Sequence, residues 1–400
     1  MRRLLLALLL VAGTSDRAEA LDQGGSIAAW VDAYDAGDPE FQGWFRAIYA
    51  LDAQPRRWLF VKLAAILERD SHGEILRDTL YDGTDRGLMR APLRFRDLAL
   101  GFRAGETTIV IGRQRLTWKR ATFVNASDNL CPRDWTDPLD EVRLSPWAVD
   151  AAWERERWSV EGALVPRYAP SRLPQLNGRW FETPSVPVAL SWGDAAFPPV
   201  SWDTLQGAVR GGYRGSRGEV RVSYFRGFDD APRIVPDDAS LDRTFVKLEV
   251  AEVDGEVLLG PFVLRGEAGY FHFPGAEDDG YGLFQVEGEW SGSGWRVIAG
   301  YGDAVGGDPS TSAATSLDQA FLPAIFVYVE KGEATEWQVA LDATVGTKER
   351  DSLVRVSGSY PFAGRVRVGG ELDLISGGAD TFWGRWRDND RLRVFLKFDF

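Results

Sequence analysis

RLRVFLKFDF, residues 391–400, is the most regularly patterned stretch of the chain. One parity carries the apolar residues Leu392, Val394, Leu396, Phe398 and Phe400, and the other carries Arg391, Arg393, Lys397 and Asp399. A period of two is typical of a β-strand, whose successive side chains point to opposite faces. We therefore predict a strand with one apolar face and one charged face, which Phe395 interrupts on the charged side.

The same alternation recurs upstream. A soluble β-sandwich also alternates, but its strands are nearer five or six residues, whereas a tilted transmembrane strand takes about ten. The pattern predicts strands at residues 26–35, 42–51, 57–69, 93–102, 106–117, 144–153, 158–167, 204–214, 218–227, 244–253, 259–272, 281–290, 295–301, 322–330, 335–346, 350–360, 365–374 and 391–400. The count is eighteen, with sixteen as the alternative, because the first three segments also fit helices. The predicted fold class is all-β, a transmembrane antiparallel up-and-down β-barrel wide enough for an aqueous channel.

The connections between these segments alternate in length. Tight turns are predicted at residues 154–157, 215–218, 254–255, 291–294, 331–334 and 361–364. Longer loops are predicted around residues 70–91, 118–143, 168–203, 228–243, 273–280, 302–320 and 375–390. Outer-membrane barrels have short periplasmic turns and longer outer loops. The asymmetry therefore predicts which end of the barrel faces outward, with the C-terminus on the periplasmic side.

The N-terminus predicts export. Two arginines precede the apolar run 4–11, and small and polar residues then lead to the A-x-A sequence 18–20. These are the parts of a secretory signal peptide, so we expect residues 1–20 to be removed and residues 21–400 to form one barrel domain. The single cysteine, Cys131, allows no internal disulfide. A net charge of −13 makes nucleic acid a poor partner.

Residues that carry covalent chemistry are scarce. The chain has two histidines, His72 and His272, each near a predicted outer loop. Ser71 directly precedes His72, and adjacent residues on a strand point to opposite faces, so the two do not form a nucleophile and its base. The sequence has no HExxH, phosphate-loop, CxxC or G-x-S-x-G motif. We predict a protein that is not an enzyme and needs neither a cofactor nor a metal.

The charged parity of the predicted strands faces the lumen, and arginine far outnumbers lysine in the chain. A guanidinium group suits carboxylate or phosphate groups on a passing solute, and rings of charge select ions in pores. The candidate pore-lining residues are Arg210, Arg221, Lys247, Arg265, Glu267, Arg296, Arg355, Arg365, Arg367, Arg391, Arg393 and Lys397. The alternative is structural, because opposite charges on neighbouring strands also stabilise a wide lumen through cross-strand pairs.

Two kinds of loop are candidates for further roles. The proline-rich loop 168–203 is long enough to fold inward and narrow the channel. Acidic clusters at residues 229–230, 237–238 and 277–279 contain ligands suited to Ca²⁺. A solvated acidic rim is the interpretation that we favour, because charged loop tips need no partner.

The stretch IVIGRQRLTWKRATFVNASDNLCPRD, residues 109–134, resembles Gram-negative outer-membrane channels of the alginate-export type and related porin-like families of unknown function. In these families a strand with Gly-Arg-Gln is followed by a tryptophan and then by an Asn-Pro-x-Asp-like element. The matching residues are Gly112, Arg113, Gln114, Trp118, Pro132 and Asp134. This chain departs from the pattern with Lys119 in place of the usual glycine and with Cys131 before the proline. The resemblance implies a monomeric barrel that passes polar or anionic material such as polysaccharide.

These features predict an outer-membrane channel, a porin or an exporter, that passes a small hydrophilic and anionic solute or an acidic saccharide through a charged lumen. The alternative is a structural or adhesive barrel that acts through its outer loops without transport. The expected location is the cell outer membrane of a Gram-negative bacterium, in contact with lipid and lipopolysaccharide. Phe400 resembles the C-terminal aromatic residue that the barrel assembly machinery recognises. The last strand should pair with the first, because an open sheet edge in lipid leaves backbone groups unpaired.

Overall fold

Within the part of the chain that the structure describes, eighteen strands form one closed antiparallel sheet. The structure is a computed structural model and describes residues 20–36, 40–124, 126–140, 142–176, 178–181, 191–237, 240–275, 280–306, 320–332 and 336–400. The strands are β1 (Ala20–Tyr34), β2 (Phe41–Arg56), β3 (Leu59–Asp70), β4 (Leu93–Ala104), β5 (Thr107–Arg113), β6 (Trp147–Arg155), β7 (Trp158–Val165), β8 (Gln206–Arg214), β9 (Gly218–Phe228), β10 (Lys247–Leu259), β11 (Phe262–His272), β12 (Tyr281–Gly292), β13 (Trp295–Val305), β14 (Ala324–Gly332), β15 (Gln338–Gly346), β16 (Ser352–Ala363), β17 (Val366–Ser376) and β18 (Arg391–Asp399). Each strand pairs with its neighbours in the chain. The predicted all-β barrel class and the count of eighteen are confirmed.

The tail of the chain closes the barrel. β18 pairs with β1 from Tyr34 opposite Arg391 to Ser26 opposite Asp399. Beyond the strand, Gly25 and Phe400 exchange backbone hydrogen bonds of 2.9 and 3.0 Å. Both edges of the sheet are therefore paired, as predicted for the seam of a closed barrel.

The two faces of β18 differ as its sequence predicts. Leu392, Val394 and Leu396 point outward and are between 50 and 54% exposed, whereas Arg391 points inward and is fully buried. Exposed aromatic residues next to tight turns add to this outward face, as expected for an interfacial belt. They are Trp58, Trp158, Trp295, Trp337 and Tyr360.

One predicted turn is wrong. Asp254 and Gly255 lie within β10, and the turn to β11 is formed by Gly260 and Pro261. Asp-Gly is a strong hairpin signal, but Asp254 faces inward, is 4% exposed and pairs with Arg120. The ion pair, which is remote in sequence, overrides the local turn preference. The predicted turn 331–334 falls partly outside the described residues.

Long connections carry additional structure. The chain between β5 and β6 contains a two-stranded sheet of Arg133–Asp134 and Val142–Arg143. A separate three-stranded sheet, which we name the outer sheet, is formed by Ser191–Ala196, Arg233–Asp237 and Ser240–Thr244. In the described residues, helices are single turns, and none has the length and hydropathy of a membrane span. Residues 1–19 lie outside the described part, so the signal peptide stays a prediction.

Candidate functional site

A loop that enters the lumen begins where β5 ends. Gly112 has a φ of +136°, and a Cβ there would lie 2.3 Å from the carbonyl oxygen of Leu98. The left-handed φ and the close approach both require glycine. The next residue, Arg113, is 2% exposed and pairs with Asp85, while Gln114 donates to two backbone carbonyls at 3.2 and 3.4 Å. The Gly-Arg-Gln sequence therefore directs the chain from the wall into the lumen, and we name residues 114–146 the inner loop.

A buried network of arginines and carboxylates holds the inner loop. Asp134 accepts hydrogen bonds from Arg90 and Arg172, each at 2.9 Å. Arg172 also donates to Asp85 at 3.2 Å, the carboxylate that pairs with Arg113. Burial alone would raise the pKa of Asp134, but the charges of Arg90 and Arg172 hold that pKa well below its usual range. Asp134 is therefore ionised at neutral pH and fixes two cations beside the loop.

Trp118, the tryptophan of the family-like motif, lies against a lumen ion pair. Its indole N–H donates to Glu161 at 2.8 Å, and the guanidinium of Arg210 lies 4.7 Å from the ring centroid. Arg210 in turn donates to Glu161 at 2.9 Å. A stacked cation and a hydrogen bond donated by the indole N–H fix the start of the inner loop on β7 and β8.

The first half of the inner loop docks on β11 and β12. Glu267 accepts three backbone N–H groups, Gln285 accepts one, and Glu287 accepts the backbone N–H and the hydroxyl of Thr122, each at 2.8 Å. The backbone donors belong to Arg120, Ala121, Thr122, Val124 and Ala126. A buried N–H group needs an acceptor. The side chains of the wall therefore determine the path of the loop.

The side chain of Arg120 adds an electrostatic contact to the same wall. Its guanidinium lies 3.1 Å from Glu219, 3.1 Å from Asp254 and 3.0 Å from Glu256. These carboxylates belong to β9 and β10, so one loop cation bridges two strands.

The second half of the inner loop docks on β16 to β18 with the opposite polarity. Arg391 donates to Asp137 and Arg393 donates to Asp140, both at 2.8 Å. Arg355 donates to a backbone carbonyl of the loop at 2.7 Å. The inner loop thus contacts two separate parts of the wall, β7–β12 and β16–β18, and narrows the lumen between them.

Where the inner loop packs on the wall, the inward face is apolar. Leu248 and Val250 of β10 are 4% and 2% exposed and belong to one buried cluster with Val124 and Ala126 of the loop. The prediction that the charged parity of every strand faces the lumen would place Leu248 and Val250 on the outward face. Lys247 was therefore predicted to point inward, whereas the structure places it on the outward parity at the start of β10.

Most other candidate pore-lining residues share the inward parity of their strands. They are Arg210, Arg221, Arg265, Glu267, Arg296, Arg355, Arg367, Arg391, Arg393 and Lys397. Arg365 lies instead in the exposed turn between β16 and β17, because the strand begins one residue later. Several inward arginines pair with neighbouring strands, as Arg265 does with Glu289 at 2.7 Å. Selection of a solute by these residues stays a prediction.

The loop 168–203 contributes to the outer side of this site. Its first part packs on the inner loop, where the N–H of Trp135 donates to the carbonyl of Arg172 at 2.9 Å. Trp180 belongs to a buried aromatic cluster. The indole N–H of Trp386 in this cluster donates to the backbone carbonyl of Trp180 at 3.0 Å. Residues 182–190 lie outside the described part, and Ser191–Ala196 belong to the outer sheet.

A cavity of about 170 Å³ remains between the inner loop and the wall of β2 to β5. Its arginine lining consists of Arg46, Arg94, Arg96, Arg113, Arg115 and Arg143. We name this space the arginine cavity. Ile48 and Ile66 provide its apolar side.

Metal ligands do not come together in the described residues, where no group of three His, Cys, Asp or Glu side chains could hold an ion. Of the predicted acidic clusters, residues 238 and 277–279 lie outside the described part. The loop acids Asp137 and Asp140 were not among the predicted site residues. A signal for them existed in the sequence DWTDPLD, residues 134–140, where three of seven residues are carboxylates within a loop predicted to be long.

The described fold is similar to solved barrels at low sequence identity. OccAB4 of Acinetobacter baumannii matches with a TM-score of 0.58 and 9% identity over 96% of this chain and 99% of that one. OccD3 of Pseudomonas aeruginosa has a TM-score of 0.56 and 9% identity over 98% and 93%. A BenF-like porin from Pseudomonas fluorescens has a TM-score of 0.55 and 10% identity over 96% and 98%. No family model and no curated protein matches the sequence, so the likeness is one of fold.

Proposed function

We propose that this protein is an outer-membrane channel of a Gram-negative bacterium that passes a hydrophilic, anionic solute, with an acidic saccharide as the candidate substrate. The observation that carries the proposal is the lumen itself. The barrel has an apolar outward face and a charged inward face, and a loop of its own chain narrows the lumen. Eighteen strands enclose more space than side chains alone can fill. The likeness to a BenF-like porin supports the channel by fold.

The preference for anions rests on the charges beside the inner loop. Six arginines line the arginine cavity, although the whole chain has a net charge of −13. A narrow passage with walls of low dielectric strengthens the field of the charges that line it. Guanidinium groups bind carboxylates and phosphates in a bidentate geometry. The alginate-export type of channel, which the motif resembles, is consistent with such a solute.

Planar lipid bilayers test the proposal. Refolded protein should give discrete conductance steps, and a KCl gradient across the bilayer should give a reversal potential displaced toward that of chloride. Heat-denatured protein at the same concentration is the control. No conductance above that of the bare bilayer would contradict the channel, and a reversal potential displaced toward that of potassium would contradict the anion preference.

A structural or adhesive role is the second candidate, and the outer sheet is the observation that favours it. In the segment that follows the first strand of this sheet in the chain, the side chains of Val200 and Trp202 are 69% and 90% exposed. Exposed apolar groups on a loop suit contact with a partner surface. A protein that gives no conductance but still binds to cells or matrix would support this role over the channel.

A further inference from the structure

The outward face of β9 to β13 has a slotted relief near the end of the barrel that carries the long loops. One row of paired residues runs across these strands, and its members are Tyr224, Ala251, Tyr270, Gly282 and Val305. Paired residues on neighbouring strands share a face of the sheet, and Tyr224 and Tyr270 are 42% and 50% exposed. Large and small side chains alternate along the row, so Ala251 and Gly282 leave a slot on each side of Tyr270.

The slots lead into an apolar groove of about 450 Å³, which we name the outward groove. Val253, Ala268 and Phe284 line it and form the next row of paired residues, on the side of the tyrosine row that is nearer the short turns. In an outer-membrane barrel such an apolar outward surface contacts acyl chains. The outward groove can therefore hold one acyl chain more closely than a smooth wall does.

Charged residues lie on the opposite side of the tyrosine row, toward the long loops. Arg226 is 67% exposed, and its guanidinium lies 3.7 Å from the carboxylate of Glu249, its partner in the register. Lys247 is exposed at the start of β10 and makes no ion pair in the part of the chain that the structure describes. Together with Asp203 these residues line a recess of about 90 Å³, several times the space that one water molecule needs.

We propose that this surface is a binding site for lipopolysaccharide, with a lipid A phosphate on Lys247 and Arg226 and an acyl chain in the outward groove. Phosphate, sugar and acyl chain follow one another in lipid A, as recess, tyrosine row and groove do along β10. Lys247 and Val253 are six residues apart, which is about 20 Å of strand. The site lies on the outward face, so the proposal goes beyond the channel function and does not require conduction.

The groups around the recess favour a phosphorylated glycolipid over a simple phospholipid. Arg226 can bind a phosphate group in a bidentate geometry, which charge alone would offer to any anionic lipid. Asp203 and Glu249 are in addition acceptors for hydroxyl groups, which a sugar supplies. Trp202, which directly precedes Asp203, is 90% exposed, as suits an aromatic ring at the level of the lipid headgroups.

Native mass spectrometry of the refolded protein, in detergent that contains EDTA, tests the site. The probes are diphosphoryl lipid A, lipid A without its phosphates, and phosphatidylglycerol, which has a phosphate but no sugar. We expect saturable binding of diphosphoryl lipid A and about tenfold or more weaker binding of the other two lipids. Lys247→Gln should weaken the binding of diphosphoryl lipid A to a similar extent, because a hydrogen bond between charged groups is lost.

Two control variants separate the site from general contact with lipid. Arg387→Gln removes an exposed arginine from the loop between β17 and β18, at the same end of the barrel but outside the site. Ala251→Phe fills a slot and should weaken binding, whereas Ala151→Phe, on the outward face of β6, should not. If Ala251→Phe does not fold, Lys247→Gln decides. Equal affinity of Lys247→Gln and Arg387→Gln for diphosphoryl lipid A, or equally tight binding of phosphatidylglycerol by the unmodified protein, would overturn the proposal.

Discussion

Replacing Glu267 with glutamine should loosen the inner loop on the wall of β11 and β12. The carboxylate accepts the backbone N–H groups of Arg120, Ala121 and Ala126. Glutamine has one acceptor oxygen, and its amide nitrogen would face a donor, so at least one loop N–H loses its acceptor. An unsatisfied buried donor costs about 1–3 kcal/mol. That cost shifts the equilibrium between docked and released loop by about 5- to 150-fold.

Single-channel recording measures this release directly. The current of Glu267→Gln should fluctuate between levels more often than that of the unmodified channel, and limited trypsin digestion should cut the inner loop faster. Glu289→Gln is the matched control, because Glu289 faces the same lumen but binds the wall residues Arg265 and Arg296, at 2.7 and 2.9 Å. Equal current noise and equal digestion rates in Glu267→Gln and Glu289→Gln would refute the reasoning.

Three further substitutions or treatments test parts of the same site. Gly112→Ala should lower the free energy of unfolding of the barrel by about 1–3 kcal/mol or more. The added Cβ would lie 2.3 Å from a carbonyl oxygen and would strain the backbone. Gly288→Ala, with nothing within 4 Å of the added carbon, should leave the urea midpoint unchanged, and equal midpoints for both variants would contradict this account. Asp134→Asn should cost about 3–5 kcal/mol at pH 7, because two buried arginines lose their carboxylate. The pKa of Asp134 is lower in the folded protein than in the unfolded chain, where it is about 3.9. The stabilisation that its ionised carboxylate gives to the fold is therefore complete above about pH 3.9 and is lost as the pH falls further. The difference in urea midpoint between Asp134→Asn and the unmodified protein should therefore be constant from pH 8 to 5 and shrink below about pH 4. A difference that already shrinks between pH 7 and 5 would contradict a lowered pKa of Asp134. Burial raises the pKa of the Cys131 thiol to about 12, so iodoacetamide at pH 8 should label it only after denaturation, and equal labelling of folded protein would show that the loop is not packed as described.

The barrel could be predicted from the sequence because its cause is local. A strand between lipid and an aqueous lumen must alternate, and β18 shows that alternation in Leu392, Val394 and Leu396 against Arg391 and Arg393. In an up-and-down topology each strand pairs with its neighbours in the chain, so the order of the strands in the sheet follows directly from their order in the sequence. The strand count was therefore accessible even though several boundaries differ by a few residues.

The inner loop could not be predicted in the same way, because its position depends on contacts between residues far apart in the chain. Arg391 and Asp137 are separated by 254 positions, and Glu287 and Thr122 by 165. Wherever the loop packs on the wall, the environment of an inward side chain changes from aqueous to apolar, which is why Leu248 and Val250 face inward. Period-two alternation indicates that the two faces of a strand differ in polarity, but it does not indicate which face contacts water.

The polarity of the docking contacts decides which charges remain for a solute. On β9 to β12 the wall presents carboxylates that accept hydrogen bonds from backbone N–H groups of the inner loop or form ion pairs with its Arg120. On β18 the wall presents Arg391 and Arg393, and the loop supplies Asp137 and Asp140. Carboxylate and guanidinium groups that form ion pairs with each other in this way hold the loop and contribute little net field to the lumen. Substitution of Arg391 should therefore unseat the loop and change conductance and noise, whereas ion preference should depend on the arginine cavity, where Arg113 pairs with Asp85, a residue outside the inner loop.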